Sequence, residues 1–219
     1  MLVGVTLQTN RPTVLFDVDG TILDSFPGIR EGFLRGLAAI DVAPPDEAFI
    51  AKIPGPPMRE SYEKAGCTPA QVDAAMQVYS DFMSTDGWQQ FTVFNGMAEL
   101  IAQLDRDGFR VGTATSKSET FATLALKRAG IWPHLDFLGA ADHERGRSTK
   151  IAVLEYVHDT FAPKRPIMVG DRTHDFTGAT HFDIASVAVT WGYGDAEEWA
   201  QATHAAQTAT ELKEILYAY

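Results

Sequence analysis

The stretch "PTVLFDVDGTILDS", Pro12 to Ser25, decides the reading of this chain. Its apolar run Val14-Leu15-Phe16 leads into Asp17 and Asp19, followed by Gly20 and Thr21. Two carboxylates this close repel each other, and burial at the tip of a strand disfavours their charged forms. A chain keeps such a pair in that place only if something positive sits among them. A lone Asp-x-Asp is usually a turn or a helix cap, so the weight of this one depends on its company.

Beyond it, short β-branched runs alternate with helical patterns, the signature of a parallel sheet flanked by helices. Candidate strands are Thr13–Asp17, Arg110–Ala114, Phe137–Ala140, Ile167–Gly170 and Ile184–Val189. Met97, Leu100, Ile101 and Leu104 recur at helical spacing and predict an amphipathic helix from Met97 to Asp107, capped by Asn95 and ended by Gly108. Further helices are expected from Ser118 to Ala129, Lys150 to Thr160 and Glu211 to Leu216.

The segment from Pro27 to Thr92 breaks the alternation, with helix starts but no convincing strand. Thr68-Pro69-Ala70-Gln71 is one such start: a capping threonine, proline at the first helical position and glutamine three residues after the cap. Ile53-Pro54-Gly55-Pro56-Pro57 cannot be helical and reads as a stiff loop. The expected fold class is α/β, a Rossmann-like doubly wound parallel sheet core with an inserted all-helical cap domain. The core would take residues 1–26 and 93–219, and the cap 27–92.

The 219 residues carry 18 basic and 29 acidic side chains, a net charge of −11. That balance argues against broad nucleic-acid or anionic-membrane binding, but a local cluster of metal and lysine can still hold an anionic substrate. Cys67 is the sole cysteine, which excludes an internal disulfide and a cysteine zinc cluster. The start, "MLVGVTLQTNRP", lacks the pattern of a signal peptide, and no apolar run is long enough to span a bilayer. A cytoplasmic protein is the expectation, as a monomer or homodimer.

Four elements in order carry the chemistry: "DVDGT" after the first strand, Thr115 in "VGTATSK", Lys150 in "RGRSTK" and "GDRTHD", Gly170 to Asp175. The strand-borne elements fall at carboxyl ends, where open parallel sheets bind ligands. Asp17, Asp19, Asp171 and Asp175 offer oxygen only, which points to a hard cation; a site that also takes phosphate favours Mg2+. His174 lies between two of them, but no second histidine stands at ligand spacing for a transition metal.

Taken together, these motifs resemble the haloacid dehalogenase superfamily of phosphohydrolases, over nearly the whole chain. The resemblance implies that Asp17 is the nucleophile and Asp19 the general acid and base, with its backbone carbonyl also on the metal. It implies that Thr115 and the backbone at Gly20 and Ser116 bind the phosphoryl group, that Lys150 balances charge, and that Asp171 and Asp175 ligate the metal. Lys117, directly after Thr115, is the rival lysine. Asp19 disfavours the dehalogenase branch, which does not keep it. The insert and the stretch "MVGDRTHDFTGATHFDIASVAVTWGYG" look most like the phosphoglycolate phosphatase subgroup, some relatives of which act on nucleoside monophosphates. The implied function is hydrolysis of a small phosphorylated metabolite. A β-phosphoglucomutase type of phosphotransferase and a non-catalytic binding protein are the alternatives.

Arg59 in the loop "PGPPMRES" is the candidate to grip a substrate carboxylate or second phosphate. Asp24-Ser25 reads as a hinge or cap, Trp191-Gly192-Tyr193-Gly194 as a closely packed loop, and Trp88 as core rather than a stacking platform.

Overall fold

The strand Thr13–Phe16 is buried at every position and lies inside a five-stranded sheet. Its neighbours are Arg110–Thr113 on one side and Ile167–Gly170 on the other, followed outward by Ala185–Val189 and His204–Ala206. Every pairing in this sheet is parallel. The computed structural model describes residues 11–142 and 144–219. The opening segment, residues 1–10, whose pattern was read for a signal peptide and as the start of the core, lies outside them. No helix among the described residues is long and apolar enough to cross a membrane.

Helices cover both faces of the sheet because its strands are apolar on both sides. Val14, Phe16 and Val18 pack with Met97, Leu100, Ile101 and Leu104 of the helix Met97–Arg106. Leu15 and Met168 face the other way, onto Val153, Leu154 and Val157 of the helix Lys150–Phe161. The cap of Met97–Arg106 is Gly96, in the left-handed region at φ +79, and not the expected Asn95. Gly108, at φ +80, follows the helix end as read.

The strand expected at Phe137–Ala140 is reduced to a bridge from Phe137 to Gly112 and a short strand Ala140–Ala141. The backbone bonds from Asp136 N–H to the Val111 carbonyl and from Gly139 N–H to the Thr113 carbonyl span three residues against two, so the register is irregular, and the Asp136 carboxylate accepts the Val111 N–H at 2.7 Å. Ala140–Ala141 pairs instead with a strand the sequence did not suggest, Thr115–Ser118. That strand hands over to the helix Glu119–Arg128, with Ser118 as its cap residue. The helix Thr173–His181 and the edge strand His204–Ala206 were also missed. "THDFTGATH" is poor in helix formers and "HAA" is too short to show a period, so tertiary packing decides both.

Between Leu23–Asp24 and Thr92–Val93 the described elements are helical. Those two short strands pair antiparallel, so the chain leaves and re-enters the core at one point. The helices Phe26–Ala39, Met58–Lys64 and Pro69–Thr85 gather Ile29, Phe33, Leu37, Tyr62, Val72 and Ala75 into an apolar cluster separate from those of the sheet. Phe33 and Tyr62 stack in it with ring centroids 4.9 Å apart. The capping box read at Thr68 is present, with both reciprocal bonds between Thr68 and Gln71. Cys67 is buried in the same cluster, whereas Trp88 is half-buried and not among its residues.

Candidate active site

Parallel pairing brings the carboxyl ends of three strands to one edge, and each delivers an acid or a hydroxyl there. Asp17 follows Phe16, and its N–H extends the ladder to the Val169 carbonyl at 2.9 Å. Asp171 follows Gly170, and Thr115 comes two residues after Thr113. Asp175 lies in the first turn of the helix Thr173–His181, where its Oδ2 accepts the N–H groups of Asp171 and Arg172, each at 3.1 Å. Carboxylate oxygens of Asp17, Asp171 and Asp175 all lie within 4.8 Å of one another.

Lys150, the first residue of its helix, reaches into this group. Its Nζ stands 3.0 Å from Asp17 Oδ1 and 2.7 Å from Asp175 Oδ1, and donates to the Ala114 carbonyl at 2.6 Å. Burial opposes the charge on Lys150, but Asp17 and Asp175 outweigh it and hold the ammonium above its ordinary value. Burial pushes the Asp17 carboxyl up, against the pull of Lys150 and with Asp175 adding repulsion. Burial also raises Asp171 well above the usual range, helped by Asp175 and Asp17. Asp171 is fully buried although Thr21 Oγ1 donates to its Oδ1 at 3.3 Å and the Tyr193 N–H to its Oδ2 at 2.7 Å. With all three acids ionised, the one lysine leaves negative charge uncompensated, and burial together with that excess holds the Asp17 and Asp171 carboxyls up.

That imbalance is the test of metal fit. The donors are carboxylate oxygens only, they converge, and their charge exceeds what the protein supplies, which suits a hard divalent cation. Asp17, Asp171 and Asp175 are the side chains that would hold it. His174 is exposed on its helix and no part of that cluster. The Asp19 side chain also stands apart, with Lys117 Nζ at 2.9 and 3.1 Å from its two oxygens. The two lysines weighed for one role thus occupy different places: Lys150 among the buried acids, Lys117 on Asp19.

Thr115 is buried, and its Oγ1 accepts the Lys117 N–H at 3.1 Å. Ser116 lines the cleft beside it. Gly20 corrects the expectation of a free donor, because its N–H goes to the Leu23 carbonyl at 2.8 Å. Its place is steric: φ is +87, and a Cβ there would stand 2.3 Å from Asp171 Oδ2. Arg59 lines the cleft but is exposed, with Nη2 2.7 Å from Asp73 Oδ1.

Sequence reasoning missed two residues. Arg172, inside "GDRTHD", is buried; its Nε pairs with Glu198 at 3.0 Å and its Nη1 donates to the Pro54 carbonyl of the stiff loop. Tyr193 offers its N–H to Asp171, while its hydroxyl accepts the N–H groups of Ser25 and Phe26 at 2.9 and 3.1 Å and donates to Asp24 Oδ1 at 2.9 Å. The signal for Tyr193 was the glycine on either side, which lets the loop close on Asp171. A Cβ on Gly192 would stand 2.4 Å from that of Asp171.

The haloacid dehalogenase-like hydrolase family model matches residues 14–189, the span that contains every strand-borne acid of the site. The chain belongs to that family. Among relatives of this haloacid dehalogenase-like hydrolase, a tyrosine-protein kinase, PtkA of Mycobacterium tuberculosis, is 36% identical over 93% of this chain and 72% of its own length. A 5'-nucleotidase of Pseudomonas aeruginosa is 28% identical over 94% and 95%. A phosphoglycolate phosphatase of Mesorhizobium japonicum is 25% identical over 85% and 86%. The crystal structure of a predicted phosphatase from Clostridium acetobutylicum superposes with a TM-score of 0.89 at 28% identity, covering 95% of this chain and 99% of that one. The resemblance read from the four motifs is thereby supported, down to phosphoglycolate phosphatases among the relatives.

Proposed function

We propose that this hydrolase is a Mg2+-dependent phosphatase that cleaves phosphate monoesters through an aspartyl-phosphate on Asp17. The observation that carries this is the convergence of Asp17, Asp171 and Asp175 around Lys150 at the strand ends, with Asp19 and Thr115 lining the same cleft. Magnesium bound by those carboxylates and the Asp19 carbonyl would supply positive charge at the phosphoryl oxygens. Lys150 together with a bound cation would keep Asp17 ionised against its burial, so its carboxylate can attack phosphorus while the bond to the leaving oxygen breaks. Asp19 gives that oxygen its proton. A water molecule then loses a proton to Asp19 and attacks phosphorus; the bond to Asp17 breaks and inorganic phosphate leaves. Thr115 and the backbone at Ser116 hold the phosphoryl oxygens in place.

Residues 27–92 act as a cap in this reading, with core 1–26 and 93–219. The single crossing at Leu23–Asp24 and Thr92–Val93 and the separate apolar cluster support that division. Closure over the cleft would exclude bulk water from the phosphoryl group. Phosphoglycolate and 5'-nucleotides are the substrates that the relatives' names suggest. Transfer to an acceptor other than water is the second reading, favoured by the kinase name of the 36% identical relative.

The test is release of inorganic phosphate from p-nitrophenyl phosphate. Activity should vanish with EDTA and return with Mg2+, and a rapid acid quench should show one added phosphoryl mass that Asp17→Asn lacks. Metal-independent release would overturn the proposal. Isomerised sugar phosphate from β-glucose 1-phosphate would favour the second reading.

A further inference from the structure

The cleft above the acids measures about 700 Å³, and its two ends differ in chemistry. On the insert's side the wall includes Ile29, Ile53, Met58, Met76, Tyr79 and Met83. Of these, Ile29, Ile53 and Met83 are buried in the insert, and Met58, Met76 and Tyr79 are half-buried, so the last three carry its partly open apolar surface. The insert's charges in the lining are Arg59, Glu60 and Glu63, one cation against two acids. Arg59 is tied to Asp73 at 2.7 Å, and Lys64, 3.3 Å from Glu60, pairs with an acid of the lining. On the core side, Lys117 is engaged by Asp19. An anionic tail entering this end meets no uncommitted cation among these residues and two like charges.

We infer that the cleft selects phosphate monoesters whose leaving alcohol is uncharged and ring-bearing, an aryl alcohol or a nucleoside, over those with a carboxylate tail such as glycolate. The inference deepens the phosphatase reading and rests on it for where the phosphoryl group sits. A ring displaces water from methionine and isoleucine surface and can lie along the Tyr79 face. Methionine shapes itself to flat and irregular groups alike, which suits a family of rings rather than one molecule. A carboxylate there loses its hydration, faces Glu60 and Glu63, and must compete with Asp73 for Arg59, the one cation of the insert's lining. Arg59 therefore serves the outer wall, not substrate anchoring.

Two measurements with Mg2+ present test this separately from the chemistry. In turnover, 1-naphthyl phosphate and a nucleoside 5'-monophosphate should each exceed 2-phosphoglycolate in kcat/KM by roughly tenfold or more. In binding, 1-naphthylmethylphosphonate, which cannot be hydrolysed, should bind more tightly than phosphonoacetate by calorimetry. Met58→Lys should narrow or reverse both preferences, with Met76→Lys as a second variant should the first fail to fold. A preference for phosphonoacetate or 2-phosphoglycolate overturns the inference. If the phosphonates rank as expected while no ester releases phosphate, the phosphatase reading falls and the substrate class stands.

Discussion

At the sheet end of the cleft, Asp17, Lys150, Asp171 and Asp175 are each less than a tenth exposed and linked by ion pairs or hydrogen bonds. At the insert end, Met58 and Tyr79 are half-buried, Arg59 is exposed, and the ion pair it makes is with an exposed acid. The first region concentrates unfavourable burial of charge in one place; the second spreads mild apolar contact over a wide wall. The difference separates what chemistry demands from what selectivity demands. In the proposed reading, the groups that would hold the phosphoryl site are buried and paired with one another, whereas those that would choose a substrate are more exposed and share fewer partners.

The comparison is broken most directly at Asp17. Asp17→Asn should lower phosphate release by a thousandfold or more, at roughly the scale of losing a nucleophile, while far-ultraviolet circular dichroism stays unchanged. Lys150→Met should abolish activity and also destabilise the fold, by roughly 3–5 kcal/mol, because Asp17 and Asp175 are left buried without their cation. Urea unfolding in EDTA reads this, and an unchanged midpoint would mean that the acids do not depend on the lysine.

A third test uses the raised carboxyls. Below the ordinary value of 3.8, folded and unfolded chains both hold the protons of Asp17 and Asp171, and no penalty arises. Above it the unfolded chain releases them while the folded chain retains them, so stability without metal should fall as pH rises until the folded groups ionise. Added Mg2+ should offset that fall at neutral pH by binding the folded state, and Asp171→Asn should shrink both effects; melting curves across pH with EDTA or Mg2+ check it.

Arg172→Ala comes next: it frees the Pro54 carbonyl and leaves Glu198 without its cation, and should raise KM severalfold, roughly as expected for a group that positions the loop. Arg59→Ala should change kcat/KM for an aryl phosphate by no more than about fivefold, the ceiling for an exposed ion pair. A large loss there would return Arg59 to the role of substrate anchor and blur the contrast between the two ends.

Much of the sheet end was legible because its strands are apolar runs that stop at a carboxylate or hydroxyl, and Thr13–Phe16, Arg110–Thr113 and Ile167–Gly170 fall where those runs are. Lys150 was reached through the family resemblance, with its place at the start of an expected helix favouring it over Lys117. Which acid each lysine meets was not: Lys117, on the strand Thr115–Ser118 that pairs with Ala140–Ala141, reaches Asp19 across 98 residues of sequence, and no local pattern shows that contact. Arg172 stood in the quoted "GDRTHD" without a role of its own, and nothing local links it to a carbonyl in the insert. The displaced cap at Gly96 is a smaller lesson. A side-chain cap was assumed where a left-handed glycine makes the turn by backbone alone.

Tyr193 has a consequence of its own. Its amide seats Asp171, and its hydroxyl gathers the first backbone N–H groups of the helix that leaves the core at Ser25 and Phe26. Swinging the insert away at that junction pulls on the same residue that steadies the buried carboxylate. Tyr193→Phe would keep the seat and cut the tether, so deuterium uptake at the Ser25 and Phe26 amides should rise above that of the parent protein.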